Sequence, residues 1–370
     1  MPIKEKRKKI AILTAMGGYG HLSYAFAYDY WLSLWGYQTE IFNVGLTGNQ
    51  EIYKLLLKKP FAYKSFFMLS NMMDISNILV KRISGQLEKK LENLLPKYNE
   101  FDAVISTHPL IHPNKGKKNF VVLLDPFLHS TYFANPQPDY YLSIWKESDR
   151  FIEKYKIDKQ KVLHIGPLLR PAFYKYSSKL QSGEDKMLFK KDLHVEKYKK
   201  VCLLMAGGLW INRAWNYMEI LSKKSEDSNV LFVFLCGKND EFRKEATSEY
   251  GKNELFKFLS WQDEESVAKW MGASDLAVVF SIAQMGIEAG IMGVPILIFN
   301  YIHGQEGAYV DLLEKHGVAK HIEGNSSEKV DYLISELNHL SKYDDSLYKW
   351  QKFLKSTPGR MHGVINHYLN

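Results

Sequence analysis

Cysteine is nearly absent: the 370 residues include two, Cys202 and Cys236, each inside an apolar run. Two such thiols read as buried and free, which excludes a disulfide framework, and no metal-site spacing accompanies them. That usage suits a reducing compartment. Also missing is any window of about 18 residues free of charges and polar breaks, which excludes a membrane-spanning helix. The start, MPIKEKRKK followed by an apolar stretch, imitates a secretory leader. The stretch stops at Gly17 with no small-residue cleavage pattern, however, and reads better as a buried first strand. The sequence contains no internal repeat, no low-complexity tract and no signature of a known nucleic-acid-binding module.

What is present describes a soluble globular protein, with 46% hydrophobic and 24% charged residues. The length suits two domains better than one core. A net charge of +8 favours an anionic partner: nucleic acid, a phosphorylated substrate or an acidic membrane face. Short β-rich runs alternate with amphipathic stretches, the pattern of α/β layers. Strands are predicted at Ile10–Thr14, Thr39–Val44, Ala103–Ser106, Phe120–Leu124 and Tyr140–Ile144. A second set falls at Val201–Met205, Val230–Cys236, Leu255–Phe258, Leu276–Phe280 and Pro295–Phe299. Helices are predicted at Leu22–Leu34, Asp263–Met271 and Gln284–Met292, and the whole suggests two Rossmann-like halves.

Residues 171–200 are polar, lysine-rich and weakly periodic, and read as a linker. The last 30 residues read as terminal helices. Residues 51–85 break the alternation: Tyr53, Phe61, Phe66 and Phe67 intersperse with Lys54, Lys58, Lys59, Lys64, Lys81 and Arg82. This pattern suits a helical hairpin with one face in the core. It equally suits an element that buries aromatics in a bilayer surface while lysines meet anionic headgroups.

Two stretches carry candidate chemistry. In IAILTAMGGYGH the first strand ends in Gly17, Gly18 and Gly20, followed by His21. A dinucleotide fingerprint fails, because its last glycine position falls on Ser23. What remains is a tight strand-to-helix turn with His21 near the positive helix end, which disfavours an imidazolium. Either a capping residue or a neutral base fits there. Further on, a strand leads into a helix carrying Glu288, and the next strand ends in the loop Asn300–Glu306. Carboxylates and amides at the carboxyl ends of such strands can hold ribose and sugar hydroxyls, or be ordinary solvated side chains.

WMGASD, then EAG-x-x-GVP, then N-x-x-x-GQE, then a helix to HGVA, resembles one glycosyltransferase family over about fifty residues. That family includes the bacterial diacylglycerol glucosyltransferases and plant monogalactosyldiacylglycerol synthase, with the peptidoglycan N-acetylglucosaminyl transferase more distant. GGYGH at 17–21, LLDPFLHSTYF at 123–133, HIGPLLRPAF at 164–173, LLMAGG at 203–208 and CGKND at 236–240 are similar in the same order.

The resemblance implies an α/β GT-B fold, two Rossmann-like domains facing across a central cleft. An acceptor and membrane-docking domain would span 1–168 and a nucleotide-sugar domain 169–340, with helices 341–370 packing back on the first. It implies inverting transfer of a hexose from a UDP-sugar to a lipid, diacylglycerol above all, with no metal or other cofactor. His21 would be the base, with Gly18, Gly20, Asp125 and His129 on the acceptor side. Glu288 would hold the ribose, Gln305 and Glu306 the hexose, and Ser260 and Trp261 the uracil, with Gly286 and Gly208 also at the donor. Tyr53, Phe61, Phe66, Phe67, Lys58, Lys59 and Lys64 would dock an anionic membrane surface on the cytoplasmic face, with no nucleic acid involved.

The pattern departs from the family at the turn before Glu288. There FSIAQMG puts Phe280, Ile282, Ala283, Gln284 and Met285 where basic, glycine and Ser/Thr positions are usual. Tyr309 and His303 also stand where an asparagine and a proline are common. An active enzyme with a rearranged phosphate loop, a transferase using another nucleotide sugar or a polyprenyl-linked acceptor, and a non-catalytic lipid- or nucleotide-binding homologue are all compatible with the sequence.

Overall fold

In the computed structural model the described residues are 7–15, 19–44, 60–72, 78, 100–108, 111, 118–133, 138–180, 183–208, 214–225 and 228–369. The chain divides into two compact units. One comprises Met1–Pro171, His303–Ala308 and Ser356–Asn370, the other Ala172–Ile302 and Tyr309–Lys355.

The first unit is built on a parallel sheet of strands β1 (Lys9–Thr14), β2 (Gln38–Asn43), β3 (Ala103–Ser106), β4 (Lys118–Leu123), β5 (Tyr140–Ser143) and β6 (Val162–His164). Their order is β2-β1-β3-β4-β5-β6. β1, β3 and β4 are buried almost throughout, as expected of parallel strands covered on both faces. Helix α1 (Tyr19–Leu34) follows β1 and buries Tyr24, Ala25, Ala27, Tyr28 and Leu32. Helix α2 (Pro60–Ser70) is the described part of the aromatic, basic segment. The terminal helix Thr357–Leu369 closes this unit: Arg360 Nε donates to the Ile165 carbonyl at 2.9 Å, and His362 stacks on Trp35.

The second unit repeats the plan with β7 (Lys200–Met205), β8 (Val230–Leu235), β9 (Phe256–Leu259), β10 (Leu276–Val279), β11 (Ile296–Ile298) and β12 (Ala319–His321). All are parallel, in the order β12-β11-β10-β7-β8-β9. Cys202 and Cys236 are buried free thiols here, and burial raises the pKa of both. The ten strands expected from apolar runs are present, with ends moved by a residue or two. The two added strands, β6 and β12, are three-residue edges, too short to leave a periodic signal.

The expected linker at 171–200 is a correction. It folds into helices α3 (Pro171–Ser177) and α4 (Gly183–Asp192), fastened to helix α5 (Glu264–Ala273). Glu264 accepts the Ala172 N–H at 2.7 Å, Lys175 pairs with Glu265 at 2.8 Å, and Lys269 pairs with Asp192 at 2.6 Å. Gly272 lets α4 approach: a Cβ there would lie 3.0 Å from the Phe189 ring. The lysines that looked solvated converge on buried Asp275. Its carboxylate takes Lys190 at 3.2 Å, Lys186 at 3.3 Å, Lys200 at 3.8 Å and the Val201 N–H at 2.9 Å. Burial pushes the Asp275 pKa up, but the lysines and the Val201 N–H outweigh it, and the net direction is down.

Lys190 is itself buried, so removing its partner strands a charge. Asp275→Ala is therefore expected to cost about 3–5 kcal/mol in urea unfolding. A loss below about 1 kcal/mol, the level of an exposed pair, would show that the cluster does not hold α4 in place.

Candidate functional site

In the first unit the chain runs from β1 outward to β2 and then returns to β3 on the other side of β1. Ligands in open parallel sheets bind outside the carboxyl ends of strands at such a reversal. Each strand there delivers a histidine. His21 lies in the first turn of α1, after β1, and His108 follows β3. Register puts Leu13 opposite Ser106, so the two strand ends are neighbours, and the Thr107 N–H continues the ladder to the Leu13 carbonyl at 2.9 Å.

Thr107 then locks His21. Its carbonyl lies 2.6 Å from His21 Nδ1, and its hydroxyl donates to the His21 carbonyl at 3.1 Å. A carbonyl can only accept, so Nδ1 carries the proton. The residue is half-buried, and its surroundings are packed closely enough that burial lowers its pKa, partly offset by the bond to Thr107. In the neutral ring the lone pair therefore sits on Nε2, the arrangement of a general base. His108 stands 4.6 Å away, ring to ring, its own pKa driven well down by burial and then by His21. Sequence reading missed Thr107 and His108. The signal available was a polar Ser-Thr-His run ending a buried strand that neighbours the first.

Gly20 has open space where a Cβ would be, while Gly18 lies outside the described residues. Asp125 accepts the Tyr132 hydroxyl at 3.1 Å; burial, then Asp125, push that hydroxyl's pKa well up. His129 Nε2 meets Ser70 Oγ at 3.1 Å and the Phe67 carbonyl at 3.4 Å, both at the end of α2. Burial lowers its pKa to about 4, so a neutral imidazole ties α2 to this segment. Asn71 adds a bond, accepting the Ser130 N–H at 2.8 Å.

Phe67 of the expected docking set is half-buried, its ring 4.9 Å from His129 and 5.9 Å from Phe127. A Cβ on Gly304 would meet that ring at 3.2 Å, and Gly304 has φ +92°, so the loop leading to Gln305 and Glu306 needs glycine twice over. Met68, Leu69 and Met72 face outward instead, with Lys64 exposed beside them. The backbones of Phe61 and Phe66 lie in α2; Tyr53, Lys58 and Lys59 are outside the described residues. Glu306 is buried and Gln305 half-buried, both in the same unit as His21.

In the second unit the reversal falls between β7 and β10. On one side is the turn Gly207–Gly208, with Gly207 at φ +76°. On the other, helix α6 (Ala283–Ile291) starts at Ile282, which supplies no side-chain cap. Met285 bridges the gap, its Cε 4.0 Å from where a Gly207 Cβ would be. Phe280 is buried against Tyr217 and Phe299, while Ser281 is half-buried. Gly286 faces the interior: a Cβ there would lie 2.9 Å from Leu313 Cδ1, so its lack of a side chain serves packing. Glu288 is buried one turn into the helix, and Ser260 and Trp261 are exposed after β9.

No family model matches the chain. It is 23% identical over 363 residues to the processive diacylglycerol beta-glucosyltransferase of Bacillus subtilis strain 168, covering 94% of this chain and 91% of that one. It is 24% identical over 340 residues to monogalactosyldiacylglycerol synthase 3 of Arabidopsis thaliana, covering 85% and 71%. Among solved structures it is similar to the glycotransferase of kitacinnamycin, with TM-score 0.62, 14% identity, and 99% and 100% of the chains covered. Medicago truncatula UGT71G1, complexed with UDP-glucose, gives TM-score 0.61 at 13% identity over 99% and 100%. A UDP-N-acetylglucosamine 2-epimerase structure from Listeria monocytogenes gives 0.61 at 14% over 98% and 97%, so the fold alone does not name the reaction. Over most of its length the chain is thus similar to lipid glycosyltransferases at 23–24% identity, and its fold is the GT-B fold of solved glycosyltransferases.

Proposed function

We propose that the chain moves a hexose from a UDP-sugar to the hydroxyl of diacylglycerol at an anionic membrane surface on the cytoplasmic side, with inversion and without a required metal. The observation that carries this reading is the neutral His21, its Nδ1–H given to Thr107 and its Nε2 lone pair left to accept a proton. In the proposed step Nε2 takes the proton of the acceptor hydroxyl. The oxygen attacks the anomeric carbon from the face opposite the diphosphate, and the breaking C–O bond leaves its electron pair on UDP. Glu288 holds the ribose, Gln305 and Glu306 the hexose, and the Ser260–Trp261 turn the uracil. The acceptor class follows the relatives named for diacylglycerol.

No helix among the described residues is long and apolar enough to cross a membrane. The outward face of α2 supports surface docking: Met68, Leu69 and Met72 are each more than half exposed. The apolar turn Phe280–Gly286 favours one second reading, a nucleotide sugar other than UDP-glucose or UDP-galactose.

Purified protein given labelled UDP-glucose or UDP-galactose and diacylglycerol vesicles is expected to form labelled glycolipid. His21→Ala is expected to lower kcat roughly 10²–10⁴-fold. No glycolipid from either donor, or an unimpaired His21→Ala variant, overturns the reading; turnover with a third nucleotide sugar selects the second. Because burial lowers the His21 pKa, the base stays neutral below the ordinary 6.5. The acid limb of kcat/KM should therefore fall on the acid side of 6.5, with activity lost as pH drops through it.

Changing Met68, Leu69 and Met72 together to Ser should cut co-sedimentation with anionic vesicles roughly tenfold or more. Unchanged co-sedimentation would show that α2 is not the docking face.

A further inference from the structure

The turn that opens α6 has no cation in its sequence, although a nucleotide diphosphate bound at the sheet reversal beside it would bring at least two negative charges. Helix N–H groups alone supply only partial charge. Among the described residues, a loop at a neighbouring strand end can supply compensating charge, and the strand order identifies it. β8 is the neighbour of β7 on the side away from β10, so its carboxyl end adjoins the Gly207–Gly208 turn.

The turn after β8 is Gly237–Lys238, and its backbone is pressed onto the glycine turn. Gly237 has φ +60°, and a Cβ there would lie 2.7 Å from the Gly208 carbonyl oxygen and 2.9 Å from that of Gly207. Lys238 N–H donates to the Gly208 carbonyl at 2.9 Å. Three glycines thus fix the Lys238 backbone one hydrogen bond from the turn that Met285 borders on its other side. From there a flexible four-carbon stem carries the ammonium. In this structure Nζ sits over the Trp261 ring, 4.8 Å from its centre. Trp261 follows β9 and is 47% exposed, so the face that carries Nζ opens to solvent at the same strand ends.

We propose that Lys238 binds the donor diphosphate, supplying the positive charge that Phe280–Gly286 lacks, and that Trp261 is both its resting platform and a wall of the nucleobase site. This deepens the donor reading above and rests on it. The ammonium turns to the phosphate when the nucleotide enters and forms a charge-assisted bond there. The chemistry recognised is a nucleoside diphosphate. A nucleoside without phosphates gains nothing from Lys238.

Titrations of the full chain with UDP and with uridine, followed by tryptophan fluorescence, separate the two contributions. Lys238→Gln is expected to weaken UDP roughly tenfold to a hundredfold and leave uridine within about twofold. Lys238→Arg should restore most of the UDP affinity, and Trp261→Ala should weaken both ligands. Raising the salt should shrink the gap between wild type and Lys238→Gln for UDP. The proposal is overturned if Lys238→Gln binds UDP like wild type, or if it loses uridine as much as UDP, the sign of a disturbed turn. If wild type binds UDP with the Lys238 dependence but makes no glycolipid, the transfer reading fails and this one stands. If wild type binds no UDP, both fail.

Discussion

The hydrogen bond between His21 Nδ1 and the Thr107 carbonyl is the constraint on which the first unit's chemistry depends. It exists because β1 and β3 are parallel neighbours in register, so the helix after one strand begins beside the loop after the other. One backbone acceptor decides the tautomer, and the tautomer decides which nitrogen can take a proton. Burial does the rest by keeping the ring uncharged. No carboxylate among the described residues bonds His21, so the imidazolium formed in catalysis would be stabilised by a peptide dipole instead of a full charge.

Both units use one topological device. In each sheet the strand order reverses beside the first strand, between β1 and β3 and between β7 and β10, and the residues with chemical potential collect there. The first reversal holds two histidines; the second holds glycines and a helix start. Glycine does different work at each position. Gly237 and Gly207 let two turns touch backbone to backbone, Gly304 lets Phe67 approach a loop, and Gly286 makes room for Leu313. Only the first pair shapes a surface that a ligand could meet directly. The same fold carries an epimerase, so the side chains at these reversals distinguish the reaction.

Much of the fold was legible in the sequence for a simple reason: buried parallel strands must be apolar along their length, and the central strands of both sheets leave such runs. His21, Glu288 and the Gln305–Glu306 pair stood out through the resemblance of their motifs. Other features depend on pairing that sequence order conceals. His108 is 87 residues from His21, and only strand order brings the two rings together. The lysines of 186–200 looked solvated because their partner, Asp275, lies in another element. Phe67 and Met68 are adjacent in sequence, yet Phe67 packs on His129 while Met68 is exposed, a distinction that composition cannot make. The linker reading failed because polarity reports solvent only when no buried partner exists.

The claim at the centre of the account is the protonation state of one ring. Nitrogen NMR of the histidine-labelled protein, with His21→Gln to assign the signal, reads the tautomer and titration of His21 directly. The account predicts a neutral imidazole protonated on Nδ1 at pH 7, titrating below the ordinary 6.5. A ring protonated on Nε2, or one that titrates at or above 6.5, would contradict it.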